Sequence, residues 1–495
     1  MRRLLAGLAA GLAAACAIGP SYHRPDLGAP DAWRSPSATA DSLRPFYDSL
    51  RSSGESTLPQ PTISPDSVAN LDWFDLLRDP ELRKLVETAL RQNRDVRVAL
   101  ASIDEFRAQY GVTRGALFPH LSVNGEGGTE KSVFGSLGAF KFDVVSATAD
   151  LQWELDFWGR LRRATEAARA DLLAREESQR AVVLTLVSDV ATAYLELREL
   201  DLDLEISKRT LASNEETLRL ARRRFDQGLI SELDVRQFES EVASPAAKVA
   251  DFERQIAQKE NQLSVLVGRN PGGIPRGSEL TGTLAPLAIP AGLPASLIDR
   301  RPDVRQAEQQ LHAAMARIGV AQGALMPTIT LTGEYGSQSQ DFSNLFKSST
   351  EIYQLFGGVS IPIFTGGQVG KQVDVARARA AQARYSYEQT VLLALEEVND
   401  ALVGVRATRD VTAAQERQVD ALRSAFRLAD RRYQNGISSY LEVLDAQRNL
   451  FTAELALAQA ERQQLSAAVE LYKALGGGWP VVGAPSAGAD SVRGR

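Results

Sequence analysis

The chain has one cysteine, Cys16, and three histidines, His23, His120 and His312, in 495 residues. A lone cysteine allows neither an intrachain disulfide nor a thiolate metal centre, and the scattered histidines form no ligand set. No glycine-rich phosphate loop follows a strand pattern and no nucleophile motif occurs, so the expectation is no enzyme and no cofactor. Acidic residues outnumber basic ones by 62 to 56, which argues against nucleic acid as a partner. The apolar run from Leu4 to Ala15 falls short of the roughly 20 residues a spanning helix needs. Glycine and proline are absent from Arg160 to Gln227. Proline is absent from Lys371 to Asn435, where Gly404 is the one glycine.

The start of the chain fixes a compartment. Met1-Arg2-Arg3 followed by the short apolar run reads as a signal peptide over residues 1–15. Cys16 directly after Ala13-Ala14-Ala15 resembles a bacterial lipoprotein cleavage site, although Ala13 stands where leucine is usual. Cys16 is therefore the expected lipidation site, the other reading being an ordinary signal peptide with an incidental cysteine. Ala17 follows, not aspartate, so an inner-membrane retention signal is absent. Residues 16–70, rich in proline, serine and aspartate, read as a lipidated arm, partly disordered around 35–65. Residues 479–495 read as a flexible tail.

What the chain does have is a copy of itself at an offset of 208 residues. Leu220-Ala221-Arg222-Arg223-Arg224-Phe225 and Gly228 fall on Leu428-Ala429-Asp430-Arg431-Arg432-Tyr433 and Gly436, and 8 of 16 positions in 220–235 are identical. Gly115-Ala116-Leu117 and Pro119 likewise fall on Gly323-Ala324-Leu325 and Pro327. The period exceeds that of short-repeat solenoids, so the duplicated unit is domain-sized. Residues 71–278 form repeat 1, 279–298 a linker and 299–478 repeat 2.

Each repeat is built around a very long helix. The stretch from Arg160 to Gln227 would reach about 100 Å at roughly 1.5 Å per residue, far beyond a globular helix. Shorter helical stretches are expected at about 80–114 and 231–267, and again at about 302–322 and 439–475. Gly228 and Gly436 end the long helices, and Ser231 and Ser439 are placed to cap the next ones, giving helical hairpins. Pro245 is expected to bend its helix.

Four segments alternate instead, at about 120–127, 142–157, 328–336 and 355–365. Val145, Ala149, Leu151, Trp153 and Leu155 are separated by Ser146, Asp150, Gln152 and Glu154. Strict alternation is the strand signal, and an apolar face opposite an acidic or hydroxylic one suits a transmembrane barrel. A soluble sheet packed on the helices would show the same pattern. Four strands cannot close a barrel, for which about eight are needed, and open edges are not tolerated in lipid. If the strands span a membrane, several chains must pool them.

These residues also carry a resemblance. Trp73 with Asp79-Pro80-Glu81-Leu82 and Ala89-Leu90-Arg91-Gln92-Asn93 resembles the opening of the outer-membrane efflux family, the TolC-like outer membrane factors. Leu155-Asp156-Phe157-Trp158-Gly159-Arg160, Arg300-Arg301-Pro302-Asp303-Val304-Arg305 and Leu441-Glu442-Val443-Leu444-Asp445-Ala446-Gln447-Arg448 are similar to later motifs of the family. The arm Cys16-Ala17-Ile18-Gly19-Pro20-Ser21-Tyr22 is similar to the lipoprotein branch typified by OprM and NodT.

The resemblance implies a mainly α fold with a transmembrane β-barrel, a tandem structural repeat whose long helical hairpins form a trimeric tunnel. Four strands per chain would make a twelve-stranded barrel. It implies a homotrimer anchored in outer-membrane lipid that docks on a periplasmic adaptor protein and an inner-membrane pump of RND type. The duct would be passive, carrying drugs or other small molecules. Alternatives are a conduit of type I protein secretion and a non-conducting coiled-coil lipoprotein.

By the same resemblance Leu441 and Asp445, one helical turn apart, would face the lumen as a hydrophobic and an acidic ring. Glu442 matches a second acidic aperture position, Asp234 is its first-copy equivalent, and Tyr433 matches a tyrosine that holds the closed state. The arginine completing such a latch appears here as Ser438. A cation at the acidic ring of Asp445 is the sole metal expected. The hairpin tips at Gly228, Ser231, Gly436 and Ser439 would meet the adaptor.

Overall fold

The computed structural model describes residues 17–25, 79–133, 139–277, 300–435 and 437–477. The segments expected as signal peptide, linker and tail, together with Cys16, most of the expected arm and Gly436, lie outside the described residues. The helices are α1 (Pro80–Gln92), α2 (Arg94–Gly115), α3 (Arg160–Asp226), α4 (Glu232–Val267), α5 (Pro302–Gly323), α6 (Gln368–Gln434) and α7 (Tyr440–Ala474). The strands are β1 (His120–Val133), β2 (Ala139–Leu155), β3 (Thr328–Ser339) and β4 (Glu351–Ser360). The two long helices, α3 and α6, each have 67 residues.

Helix ends follow local chemistry. Asp79 caps α1, accepting from the Glu81 and Leu82 amides at 2.8 and 3.2 Å, with Pro80 in the first turn. The stretch expected as one helix over 80–114 is two. Asn93 interrupts it: its Oδ1 accepts from the Asp95 and Val96 amides, and its Nδ2 donates to the Leu266 carbonyl at 2.9 Å. α4 continues through the buried Pro245 and ends at Gly268, which has φ 83°. A Cβ there would lie 2.5 Å from the Gln92 carbonyl oxygen, so this close approach requires glycine.

Two compact units divide the chain. One holds residues 17–25, Leu100–Glu177 and Gln306–Thr390 among the described residues; the other holds 79–99, Ser178–Arg305 and Val391–Arg495 in the same sense. The second unit is helical. Its core gathers Leu82, Val86, Val190, Leu197, Leu263 and Val267, all essentially inaccessible, with Leu465 and Val469 of α7. Each such fully buried side chain stabilises the packing by about 1.5–3 kcal/mol. Tyr194 is buried among them, and its hydroxyl donates to Asp79 at 2.9 Å, so the α1 cap is itself tied into the core.

The first unit carries one sheet of order β1-β2-β3-β4, antiparallel throughout. Its register separates two faces. On one lie Leu121 and Val123, then Ala147, Ala149, Leu151 and Trp153, then Ile329, Leu331 and Tyr335, then Tyr353, Leu355 and Val359. On the other lie Ser122, Asn124 and Glu126; Ser146, Thr148, Asp150, Gln152 and Glu154; Thr330, Thr332, Glu334 and Gln354, interrupted by Phe356.

β4 runs over Glu351–Ser360, not 355–365. Pro362 offers no amide to a ladder, and β4 instead begins at Glu351, paired with Ser337. The other three strands extend beyond or shift from the expected 120–127, 142–157 and 328–336 by a few residues at their ends. Among the described residues no helix is long and apolar enough to cross a membrane.

Candidate functional site

The helical tips were the expected site, and the two copies build theirs differently. In the first, Gly228 takes φ 71°, with its amide donating to the Phe225 carbonyl and the Leu229 amide to that of Arg224. Ser231 and Asp234 then close a capping box: the Ser231 amide and hydroxyl donate to Asp234 Oδ2 at 2.9 and 2.8 Å. The Ser231 hydroxyl first, then its amide, hold the Asp234 carboxyl below its ordinary range. Asp234 is thus engaged in capping α4.

The second tip lacks that box. Ser439 occupies the N-cap of α7, but its side chain makes no capping bond, contrary to the role expected of it. Glu442, the counterpart of Asp234, reaches back to Arg432 of α6 at 3.7 Å. Leu441 is 62% exposed, while its neighbours Val443 and Leu444 are buried. Asp445 is exposed and accepts from Asn449 at 3.2 Å. Leu441 and Asp445 therefore share a solvent-facing stripe of α7.

Tyr433 is where the copies meet. Arg224, from the end of the first long helix, donates to the Tyr433 hydroxyl and lies 5.2 Å from its ring centre. Tyr433 packs edge-on against Tyr440 at 5.0 Å, and Tyr440 against Phe238 at 4.1 Å. Burial is the main cause that drives the Tyr440 hydroxyl above its ordinary pKa. Lower down, Gln447 donates to Asn214 at 2.7 Å and Arg448 to Glu241 at 3.0 Å.

An arginine contact to Tyr433 thus exists, supplied by Arg224 of the first copy, while the Ser438 hydroxyl is buried without a protein partner. Arg224, Tyr440 and Phe238 were not singled out from sequence. The signal available was the aligned pair Arg224 and Arg432, whose partners differ because Phe225 is replaced by Tyr433 in the second copy. Among the described residues no group of three or more histidine, cysteine or acidic side chains is placed to hold a metal ion.

The second functional surface is the sheet. On its polar face Asp150 accepts from Asn124 at 2.6 Å and from Thr148 at 3.1 Å, and Glu154 is paired with Arg160 at 2.7 Å. On its apolar face Val123 is 80% and Leu355 68% exposed, which water does not favour and hydrocarbon does. Tyr335 and Tyr353 are paired toward one end of that face, and Trp153 lies toward the other, its indole N–H donating to the Leu117 carbonyl at 3.0 Å. An exposed apolar face that carries aromatic side chains is compatible with a strand surface set in lipid. Among the described residues, the edge strands β1 and β4 each pair with a single neighbour.

Paired helical hairpins bearing such a sheet define a subunit of an outer-membrane channel. The model of the outer membrane efflux protein family matches the chain twice, over residues 85–269 and 293–477. The chain is 37% identical over 451 residues to the probable efflux pump outer membrane protein TtgC of Pseudomonas putida, covering 88% of this chain and 93% of TtgC. It is 32% identical over 465 residues to the cation efflux system protein CusC of Escherichia coli, covering 94% and 96%. The open state of the Neisseria gonorrhoeae MtrE outer membrane channel superposes with a TM-score of 0.81 at 30% identity, over 94% of this chain and 98% of that one. The chain belongs to the outer membrane efflux protein family. It is an outer-membrane channel component of an efflux system.

Proposed function

We propose that three copies of the chain form a passive exit duct, a homotrimer whose pooled strands close a twelve-stranded barrel. The observation that carries this is the four-stranded sheet with a lipid-compatible face and, among the described residues, one unpaired side on each edge strand. Such edges are untenable in hydrocarbon unless β4 of one copy pairs with β1 of the next. Crosslinking in detergent is expected to give a three-chain species. A monodisperse monomer with full secondary structure would overturn the proposal.

In this reading the polar sheet face lines the passage, and the helical tips meet a periplasmic adaptor at Gly228, Ser231, Gly436 and Ser439. An inner-membrane pump of RND type supplies the driving force for small molecules, so the chain itself performs no chemistry. Leu441 and Asp445 form the constriction, Glu442 adds charge held by Arg432, and Tyr433 with Arg224 ties the second tip to the first. Asp234 contributes its cap.

Residues 1–15 are a signal peptide and Cys16 is acylated. Two or more acyl chains anchor firmly where one does not. Because the strands insert as well, Cys16→Ser is expected to lower maturation and efflux without abolishing assembly. Mass spectrometry that found an unmodified mature N-terminus on the parent protein would refute acylation.

A further inference from the structure

The segment just after Cys16 crosses between the two repeats. β2 leads into α3 within repeat 1, and α5 leads into β3 within repeat 2, so the β2–β3 pairing is the seam where the repeats become one sheet. Residues 17–25 touch both sides of it. On the α3 side, the Ile18 amide donates to the Trp158 carbonyl at 3.0 Å, and Arg163 donates to the Ile18 and Gly19 carbonyls, each at 3.2 Å. On the α5 side, the Tyr22 hydroxyl donates to Glu308 at 2.9 Å, and Arg24 makes a forked contact to the same carboxylate at 2.8 and 2.6 Å. The Tyr22 ring stacks on His312 at 4.8 Å, and His312 in turn meets Glu166 of α3 at 3.0 Å.

Backbone fit supports the polar contacts. Gly19 has φ +111° and passes so close to α5 that a Cβ on it would lie 2.5 Å from Gly319 Cα. A Cβ on Gly319 would lie 2.6 Å from the Ile18 carbonyl oxygen. The crossing therefore admits only glycine on both segments. Burial first, then the Glu308 charge, push the Tyr22 phenol above its ordinary range, so the hydroxyl stays a donor.

We propose that residues 17–25 are an intramolecular strap, and that Tyr22, Arg24 and Gly19 are positioning residues that fasten α5 to the start of α3. The strap fixes the two repeats in the register that lets β2 pair with β3. It needs no acyl group, because every contact comes from residues after Cys16. Its occupancy is decided by side-chain complementarity at Glu308 and by the glycine crossing.

The test keeps Cys16 intact and measures the heat-modifiable, protease-resistant fraction of the full-length protein in outer membranes. Arg24→Glu and Glu308→Arg, each alone, are expected to lower that fraction by about threefold or more. The double charge swap is expected to restore most of it, a rescue that general destabilisation does not give. Gly19→Val, which leaves every charge in place, is expected to lower it as well, and exposed His23→Ala to leave it at the parental level. Parental levels in the single variants, a double variant no better than either, or an equal loss in His23→Ala would each overturn the strap.

Discussion

Leu441→Ala combined with Asp445→Ala is expected to raise single-channel conductance in planar bilayers severalfold. In the proposed duct the Asp445 carboxylates would meet across the threefold axis and repel, so closure would come from leucine packing and contacts between helices, with a cation shared at the ring. On that proposal, removing the exposed leucine and the carboxylate one turn on would take away both the apolar plug and the cation site. Asp445→Ala alone should weaken cation preference and block by divalent ions. Arg224→Ala should raise conductance less than the double change, because Tyr433 keeps its aromatic contact with Tyr440. Leu233→Ala is the control: it is as exposed as Leu441 but stands beside a closed capping box in the first copy. Parental conductance and selectivity in both second-copy variants would remove the gate from this position and leave the fold untouched.

The long helices and hairpins were legible because their signals are local. Sixty-odd residues without proline have one regular solution, and Gly228 with Ser231 is a stop followed by a start. The strand faces were legible for the same reason, since a period of two survives any error in strand length. Tertiary partners were not legible. Asn93 splits α1 from α2 both by a local cap on the Asp95 and Val96 amides and by donating to the distant Leu266 carbonyl, and only the second lies beyond the reach of the local sequence. β4 was placed late because Phe356 breaks the alternation, whereas its start is set by pairing with β3. At the tips, the charges were visible but their partners were not: Glu442 with Arg432, and Asp234 with Ser231, come from equivalent positions. Arg224 reaches Tyr433 across 209 positions, and no spacing rule connects them.

Asp203→Asn is expected to stabilise the protein at pH 8 and to leave it nearly unchanged at pH 4. Asp203 sits on α3 with 8% of its surface exposed, and its Oδ1 has no hydrogen-bond partner in the protein. Ser207, one turn on and fully buried, has an unpartnered hydroxyl too. Burial, and then the charge of Glu199 one turn back, push the Asp203 carboxyl up to about 7, while Lys248 of α4 pulls it down. Glu199 is paired with Arg462 of α7 at 2.8 Å, although burial, the larger influence, pushes its own carboxyl above the ordinary range. An unfolded chain titrates this aspartate near 3.8, so between roughly pH 4 and 7 the folded state binds the extra proton. Stability from this group is therefore full below about pH 4, falls as pH rises toward 7, and is level above that; the loss amounts to about 4 kcal/mol. Asparagine keeps the shape and cannot ionise, so the variant escapes that loss. Thermal unfolding in detergent should show the variant's midpoint several degrees above the parent's at pH 8, with the gap closing toward pH 4. A gap that did not change with pH would mean that Asp203 is ionised throughout, held by Lys248 more strongly than burial opposes.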